Sequence, residues 1–353
     1  MSDFANRLLA WFDVHGRHDL PWQHPRSAYR VWVSEIMLQQ TRVETVTPYF
    51  LAFMHRFPDV RALAQAPVDE VLHLWSGLGY YARARNLHRA AQVLVERHDA
   101  EFPADRERLE TLPGIGRSTA AAIVAQAFGQ PEAILDGNVR RVLARHGGVQ
   151  GWPGSSAVQR RLWSLAEARL PDSRMADYTQ AIMDLGATIC TRSHPLCGHC
   201  PVAQDCFAFE QDRVAELPTS RPAKPLPVRT RWAGLLLGPE GVFLERRATS
   251  GIWGGLYSLP ERGDAAELHD WILSRWPEAR PSASPVEPID HVFSHYRLIL
   301  QILPFRLPSH ARGIMDGEQV IWYNSRLPVR VGLPAPIERF LSKHGNSEQW
   351  REW

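Results

Sequence analysis

Residues 112 to 128 read LPGIGRSTAAAIVAQAF, a glycine-containing turn followed directly by an alanine-rich helix. The turn Gly114-Ile115-Gly116 lets the backbone approach another molecule closely, and the first N–H groups of the helix lack partners within the helix. Because the helix dipole also favours an anion at this end, the segment can bind a phosphate. An ordinary turn between two helices explains the same pattern, so other segments must decide between the two interpretations.

The rest of the first 206 residues also shows helical runs separated by short Pro/Gly turns. A proline- and arginine-rich stretch, LPTSRPAKPLPVRTR at 217–231, interrupts the helical periodicity and indicates an extended linker. Beyond it, residues 232–237 and 242–245 flank a Gly-Pro-Glu-Gly turn like the strands of a hairpin. The sequence thus predicts an all-α domain over 1–216, the linker 217–231, an α+β domain over 232–345 and a C-terminal tail over 346–353.

The composition, 44% hydrophobic and 22% charged with a net charge of +2, is typical of a soluble globular protein. No stretch predicts a membrane span or a signal peptide, so we expect a cytoplasmic protein. Nothing in the sequence indicates an oligomer, so we expect a monomer. The net charge does not identify a partner, but residues 71–95 and 137–166 contain arginines and no acidic residue. These stretches are either phosphate-facing surfaces or solvated helix faces.

All four cysteines fall in one stretch, at Cys190, Cys197, Cys200 and Cys206, separated by six, two and five residues. Disulfide frameworks belong to short secreted chains, so the clustering favours a metal site in a reducing compartment. Zinc sites usually have two closely spaced pairs, whereas only Cys197 and Cys200 are so paired. Iron–sulfur clusters accept unequal gaps. The spacing therefore favours a [4Fe-4S] cluster, with zinc as the alternative.

Two acidic residues have sequence surroundings that suit catalysis. Glu35 is the only charged residue in VWVSEIMLQQT at 31–41. Burial there would raise its pKa and keep it protonated, as a general acid must be. If an arginine pairs with it, Glu35 is instead a structural residue. Asp136 follows an apolar segment at the expected start of a helix, where it can be an N-cap, a carboxylate kept ionised by helix N–H groups, or both. A protonated glutamate and an ionised aspartate together suit cleavage of a glycosidic bond.

Several segments together closely resemble the endonuclease III superfamily of helix-hairpin-helix DNA glycosylases, and within it the adenine-specific branch. They are SEIMLQQT (34–41), GLGYYARARNL (77–87), LPGIGRSTA (112–120), LDGNVRRVLAR (135–145), MDLGATIC (183–190) and the cysteine spacing. The aromatic residues beside arginines in the second segment suit wedging between bases. The resemblance covers essentially the whole chain.

The resemblance implies a nucleoid-associated bacterial enzyme that removes adenine mispaired with 8-oxoguanine or guanine in double-stranded DNA. It also implies two helical subdomains around a DNA-binding cleft and a [4Fe-4S] cluster on the cysteine loop 190–206. Glu35 would protonate adenine at N7, and Asp136, with Asn138 beside it, would stabilise the sugar cation. The resemblance also implies the DNA contacts. Gln40 and Tyr80 would insert between bases as wedges, with Thr41 and Leu78 near 8-oxoguanine. Gly114 and Gly116 would bind a phosphate, and the adenine pocket would be lined by Trp22, Gln23 and Gln180.

One position separates this interpretation from a bifunctional glycosylase and lyase acting on damaged pyrimidines. Such enzymes of the superfamily have a nucleophilic lysine where this chain has Ser118, and adenine-specific members include some with tyrosine there. The only lysines, Lys224 and Lys343, lie outside the helical half. The sequence therefore predicts base removal without strand cleavage by a lysine. A protein that binds mismatches without chemistry is the third alternative.

The C-terminal domain resembles the Nudix-like module of the same family. Gly255 and Glu261 have the separation that opens a Nudix box, but His269-Asp270 stand where Arg-Glu is expected, so we expect no nucleotide hydrolysis. The resemblance assigns recognition of 8-oxoguanine to Phe293, Ser294 and His295 on a loop between strands; by themselves these residues suit an ordinary strand end. We expect deletion after about residue 225 to reduce this discrimination more than adenine removal itself.

Overall fold

A computed structural model of the chain describes residues 3–222, 225–282, 286–308, 319–324, 329 and 331–344. The chain divides into two units, Met1–Gln65 with Asn86–Ala223 and Ala66–Arg85 with Lys224–Trp353. The division at residue 223 falls inside the predicted linker, whereas nothing in the sequence indicates that Ala66–Arg85 joins the second unit. The predicted tail 346–353 lies outside the described residues.

The first unit is helical, as the sequence predicts. In chain order the helices up to residue 210 are α1 Asp3–His15, α2 Ala28–Leu38, α3 Val43–Arg56, α4 Val60–Gln65, α5 Val68–Leu74, α6 Ala82–His98, α7 Arg106–Glu110, α8 Arg117–Phe128, α9 Gly137–His146, α10 Ser156–Glu167, α11 Met175–Asp184 and α12 Phe207–Glu210. Of these, α5 belongs to the second unit, and α6 begins there and continues in the first. A π-helical turn, Leu185–Ile189, extends α11 toward the first cysteine.

Helix α8 lies at the centre of the first unit. All residues from Thr119 to Gln126 are buried, because alanines present so little side chain that neighbouring helices approach the backbone from several sides. Helices α2, α7 and α11 pack against it. The glycine turn at 114–116 begins this helix, and Gly129 ends it with a left-handed φ of 69°. The segment that forms the glycine turn at 114–116 and helix α8 therefore also brings α2, which carries Glu35, into the core.

The second unit contains a mixed sheet with two further helices. Its strands are β1 Val228–Gly238, β2 Gly241–Arg246, β3 Tyr257–Ser258, β4 Glu261–Arg262, β5 Arg280–Pro281, β6 Ile289–Val292, β7 Arg297–Arg306 and β8 Val320–Tyr323, and its helices are α13 Ala265–Arg275 and α14 Ala335–His344. The central order is β3-β2-β1-β7-β5, with β4 on β1, β6 on β7 and β8 on β2. Only the β1–β7 pair is parallel among the strand pairs of the described residues.

Strand β1 begins at Val228, inside the predicted linker rather than at residue 232. Residues 228–231 pair with 297–300 of β7, yet all four are exposed, so this end of the strand has no alternation of buried and exposed side chains. Further along, Leu236 and Phe243 pack against Leu268 and Ile272 of α13. None of the helices in the described ranges has the combination of length and apolar character that crossing a bilayer requires.

Candidate active site and cysteine loop

Glu35 lies on α2, between the buried residues Ser34 and Ile36. Burial raises the pKa of Glu35 to about 8; repulsion from Asp136 contributes to the increase, and a hydrogen bond from Gln126 opposes it. That bond joins Gln126 Nε2 to Glu35 Oε1 over 3.4 Å. Glu35 has no ion-pair partner within the part of the chain that the structure describes. The carboxyl is therefore protonated at neutral pH, the state that a general acid needs.

Asp136 is the N-cap of α9. Its Oδ1 accepts a hydrogen bond from the N–H of Val139 at 2.7 Å. Burial raises the pKa of Asp136, and the Val139 N–H, the charge of Arg141 and the N–H of Asn138 oppose that rise. The net shift is upward, so burial works against the expected ionisation. The N–H donors and the arginines act on Asp136 rather than on Glu35, so they favour the ionised form of Asp136 over that of Glu35.

Arg141 connects helix α9 to the cysteine loop. Its guanidinium donates to Asn138 Oδ1 at 2.8 Å, Gly186 O at 2.6 Å and Cys190 O at 2.7 Å. A Cβ atom at Gly186 would lie 2.6 Å from the Cβ of Asn138, so this close approach requires glycine. This role of Arg141 is not among those predicted from the sequence. Its spacing of three residues from Asn138 in LDGNVRRVLAR is the signal, since side chains three apart are neighbours on a helix.

The four cysteines are partly buried and line one pocket together with apolar side chains that include Val142, Leu185 and Ile189. Arg145 donates to Cys190 Sγ at 3.4 Å and to the carbonyl of Thr191 at 2.7 Å. Burial, with smaller contributions from the charges of the other three cysteines, raises the pKa of Cys200 to about 11, against a hydrogen bond from the Val202 N–H that lowers it. The thiols therefore lie close enough to affect one another.

The arrangement of these thiols bears on the kind of metal group that they can hold. Within the described ranges no three Cys, His, Asp or Glu side chains converge on a point that could hold one metal ion. A zinc ion requires its thiolates at about 2.3 Å around a single centre. A cluster of several irons takes its four cysteines on different atoms and accepts a more open arrangement. Four cysteine thiols lining one pocket are the ligand type that an iron–sulfur cluster takes.

The hairpin at the start of α8 has two glycines with different roles. Gly114 has a φ of 77°, and a Cβ there would lie 2.7 Å from the Cβ of Asn86, so conformation and packing both require glycine. Gly116 caps α8 without a side-chain hydrogen bond, and a Cβ there would meet nothing within 4 Å. The space beside the helix N-terminus is therefore open to a ligand. Ser118 lies in the first turn, where its Oγ accepts from the N–H of Leu135 at 3.0 Å, next to Asp136.

The two residues that the resemblance implies as wedges share an unusual backbone conformation. Gln40 and Tyr80 have φ angles of 62° and 49°, in the left-handed region that non-glycine residues rarely adopt. Both side chains are exposed, Tyr80 to 51%. Leu78, implied near 8-oxoguanine, is instead buried at 6% exposure, and Thr41 lies beside Gln40 with its Oγ1 3.5 Å from the carbonyl of Gln39. Strain of this kind concentrates at functional sites.

The residues implied in the adenine pocket are all buried. Gln180 Nε2 donates to Asp184 Oδ1 at 2.7 Å, and Asp184 also accepts from the Arg17 N–H at 2.8 Å and from its guanidinium at 2.7 Å. Because a carboxylate only accepts, this contact fixes the orientation of the Gln180 amide. Gln23 Nε2 has no hydrogen-bond partner among the described residues and is available to a ligand. Trp22 packs edge-on against Phe50, with 5.5 Å between ring centroids.

The residues implied in 8-oxoguanine recognition form the turn between β6 and β7. Ser294 and His295 are exposed at its tip, with Ser294 Oγ 3.4 Å from His295 Nδ1. Phe293 packs against Trp253 and His291, with centroid separations of 5.4 and 4.5 Å. The turn is therefore anchored by Phe293 and presents the two polar side chains. At the Nudix-box position, Glu261 forms an ion pair with Arg247, so this carboxylate is already partnered.

Comparisons with known proteins agree with this description. Residues 33–168 match the HhH-GPD superfamily of base excision DNA repair proteins, and residues 232–343 match a NUDIX domain. A solved thermostable thymine-DNA glycosylase is similar at a TM-score of 0.52 and 27% identity, over 59% of this chain and 95% of that one. An endonuclease III–DNA complex has a TM-score of 0.50 at 22% identity, over 59% and 94% of the chains, and shows the same fold. The fold and site define a helix-hairpin-helix DNA glycosylase.

Curated relatives narrow the class to one family. The adenine DNA glycosylase of Buchnera aphidicola subsp. Acyrthosiphon pisum is 34% identical over 96% of this chain and 96% of that protein. The adenine DNA glycosylase of Rattus norvegicus is 36% identical over 87% of this chain and 71% of that protein. The chain belongs to the adenine DNA glycosylase family.

Proposed function

We propose that this protein removes adenine mispaired with 8-oxoguanine or guanine in double-stranded DNA and leaves an abasic site. The observation that carries the proposal is that the buried carboxyl Glu35, whose pKa is raised, interacts electrostatically with Asp136, the N-cap of α9. Membership in the adenine DNA glycosylase family supports adenine as the base removed.

The two carboxyls have complementary tasks in this reaction. An adenine flipped out of the duplex receives the proton of Glu35 at N7, so that the base leaves as a neutral molecule with the electron pair of the C1′–N9 bond. Asp136 faces the positive charge that develops on the sugar. Water then adds at C1′, and its proton passes to the carboxylate of Glu35 that the first step leaves. Asn138, held by Arg141, lies within the first turn beyond Asp136 and positions groups around it.

The remaining residues bind and open the duplex. The open space beside Gly116 admits a phosphate to the N–H groups that begin α8. Gln40 and Tyr80, exposed on strained backbone, insert into the base stack and hold the gap open. Ser294 and His295 contact the Hoogsteen edge, where 8-oxoguanine differs from guanine.

A [4Fe-4S] cluster bound by Cys190, Cys197, Cys200 and Cys206 completes the proposal. The shared apolar pocket and the contact from Arg145 to Cys190 Sγ support these four as ligands. Metal binding contributes folding free energy, so its role here is to order the loop. Iron and acid-labile sulfide assays on anaerobically purified protein test the assignment, and stoichiometric zinc without sulfide would refute it.

The decisive experiment uses duplexes with adenine opposite 8-oxoguanine, guanine or cytosine, incubated under single-turnover conditions. We expect strand breakage only after hot alkali, and fastest opposite 8-oxoguanine. Breakage without alkali would identify a lyase, and binding without release would identify a mismatch-binding protein. Glu35→Gln and Asp136→Asn should retain duplex binding and lose base release, since general acid catalysis alone contributes about 10²- to 10⁴-fold.

A separate measurement tests the recognition turn. Ser294→Ala should lower the ratio of adenine release opposite 8-oxoguanine to release opposite guanine. The matched control is Ser274→Ala, an exposed serine on α13 whose Oγ donates to the carbonyl of Trp271. An unchanged ratio in Ser294→Ala would remove this residue from recognition.

A further inference from the structure

The turn at residues 77–80, which carries Tyr80 and is called the wedge turn below, belongs to the second unit together with the C-terminal domain. Residues Ala66–Arg85 contain helix α5, the turn 77–80 and the start of α6, and they cluster with Lys224–Trp353 rather than with the helical residues on either side of them in sequence. A segment implied in opening the DNA is thus packed on the domain implied in recognising the opposite base.

Specific contacts hold this segment on both sides of the turn. Before the turn, Asp69 of α5 forms an ion pair with Arg246, 2.7 Å between Oδ1 and Nη2. After it, the hydroxyl of Tyr81 donates to the carbonyl of Leu333 at 2.9 Å. Arg85 donates to the carbonyl of Gly254. The partners come from the end of β2, the loop that follows it and the segment before α14.

Close packing accompanies the polar contacts. A Cβ atom on Gly332 would lie 2.9 Å from the Cβ of Leu72, so the loop before α14 approaches the backbone of α5 without a side chain between them. Ser76, just before the turn, donates to Glu338 of α14 at 3.2 Å. The segment is therefore fitted to this domain along its length.

The turn itself is held in a strained conformation. Trp75 Nε1 donates to the carbonyl of Gly79 at 3.1 Å, and Arg83 donates to the carbonyls of Leu78 at 3.1 Å and Gly79 at 3.2 Å. Tyr80 keeps a φ of 49° with its side chain half exposed. Such a conformation persists only where its surroundings determine it. The donors Trp75 and Arg83 lie between the anchored residues Asp69 and Arg85, so the anchors determine where this turn is held.

We propose that the C-terminal domain positions the Tyr80 wedge, with Asp69, Tyr81 and Arg85 as positioning residues that bind the wedge turn to it. This inference rests on the proposed function, in which Tyr80 inserts into the duplex. It changes the expected result of deleting residues after about 225. The deletion removes the partners of all three anchors, so adenine removal itself should fall together with discrimination for 8-oxoguanine.

The first test removes one hydroxyl. Tyr81→Phe deletes the bond to Leu333, and the matched control, Tyr29→Phe, deletes an equivalent bond from a buried tyrosine to the carbonyl of Phe57 at 2.8 Å in the helical unit. The probe is a duplex with an uncleavable adenine analogue opposite 8-oxoguanine and 2-aminopurine beside it, whose fluorescence rises when the stack is opened. Tyr80→Ala defines the signal that remains without the wedge.

We expect Tyr81→Phe to lower both the fluorescence rise and the single-turnover rate about fivefold relative to Tyr29→Phe, on the scale of one net hydrogen bond. Thermal unfolding of both variants shows whether the folds survive equally. Equal behaviour of the two variants would overturn the positioning role alone. Failure of the wild type to release adenine, or full fluorescence in Tyr80→Ala, would instead overturn the proposed function on which the inference rests.

A double-mutant cycle tests the ion pair independently. Asp69→Ala and Arg246→Ala should each reduce the fluorescence rise. The rise in the double variant should equal that in the more impaired single variant, because each change breaks the same ion pair. Additive losses, or no loss in either single variant, would refute the role of this contact.

Discussion

Replacing Glu35 by glutamine should abolish base release and at the same time make the protein more stable at neutral pH. The folded-state pKa of Glu35 is about 8, against 4.5 for an ordinary glutamate. A raised folded-state pKa contributes stability that is fully present below pH 4.5 and is lost as the pH rises through 8. At pH 7 the loss amounts to about 3 kcal/mol, from the 1.36 kcal/mol that each pKa unit represents.

Glutamine keeps the shape of the side chain and removes the proton equilibrium. Its carbonyl oxygen can still accept the hydrogen bond that Gln126 Nε2 makes to Oε1. The variant should therefore gain stability over the wild type as the pH rises from 5 to 8, by about 3 to 4 kcal/mol. Urea unfolding of both proteins at pH 5, 6, 7 and 8 measures this difference. Gln126→Leu, which removes the donor but keeps the acid, is the control and should raise the pKa further.

The same pKa sets the pH dependence of catalysis in the wild type. With a pKa of about 8, roughly nine-tenths of Glu35 is protonated at pH 7 and about one-tenth at pH 9, so the single-turnover rate should fall about tenfold between them. Quenched-flow release of adenine measures the rate. A stability difference that does not change with pH, or a rate that is flat up to pH 9, would refute the assignment of Glu35 as the buried acid.

Three further predictions concern the surrounding structure. Arg141→Lys loses the fork that joins Asn138, Gly186 and Cys190, and should lower base release and the iron content of the purified protein together, as assayed side by side. Asp184→Asn breaks a buried ion pair with Arg17 and should destabilise the protein by about 3 kcal/mol in urea unfolding. Gly114→Ala should lower the melting temperature because of its φ of 77°, whereas Gly116→Ala should preserve it and weaken duplex binding in a filter assay.

The helical domain was accessible to sequence reasoning because its signals are local. The alanine-rich run after Gly116 and the N-cap at Asp136 both mark helices, and both are observed. Strand β1 shows where such reasoning fails. Its first residues, from Val228 on, are paired to β7 while exposed, so pairing there depends on a partner about 70 residues away rather than on an apolar pattern.

The same distinction applies to the candidate site. The carboxyls could be found because each is an isolated charge next to apolar sequence. The hydrogen bond from Gln126 to Glu35 could not be predicted, because it joins residues far apart in sequence. The contact between Gln180 and Asp184 carries no distinguishing signal, because many polar pairs stand four residues apart on a helix. The left-handed backbone of Gln40 and Tyr80 has no signal in their residue types, since neither glutamine nor tyrosine favours it.

Helix α9 connects the carboxyl of Asp136 to the cysteine loop 190–206. Asp136 caps its first turn, and Asn138, Arg141 and Arg145 follow at spacings of three and four residues, which place them on one face. Arg141 and Arg145 both contact Cys190, one at its carbonyl and the other at its sulfur. An ordered cysteine loop therefore helps to hold the helix that is capped by Asp136, the residue that we propose stabilises the sugar cation. Disorder in that loop would displace Asp136 through these arginines, so the loop can affect base release without any transfer of electrons.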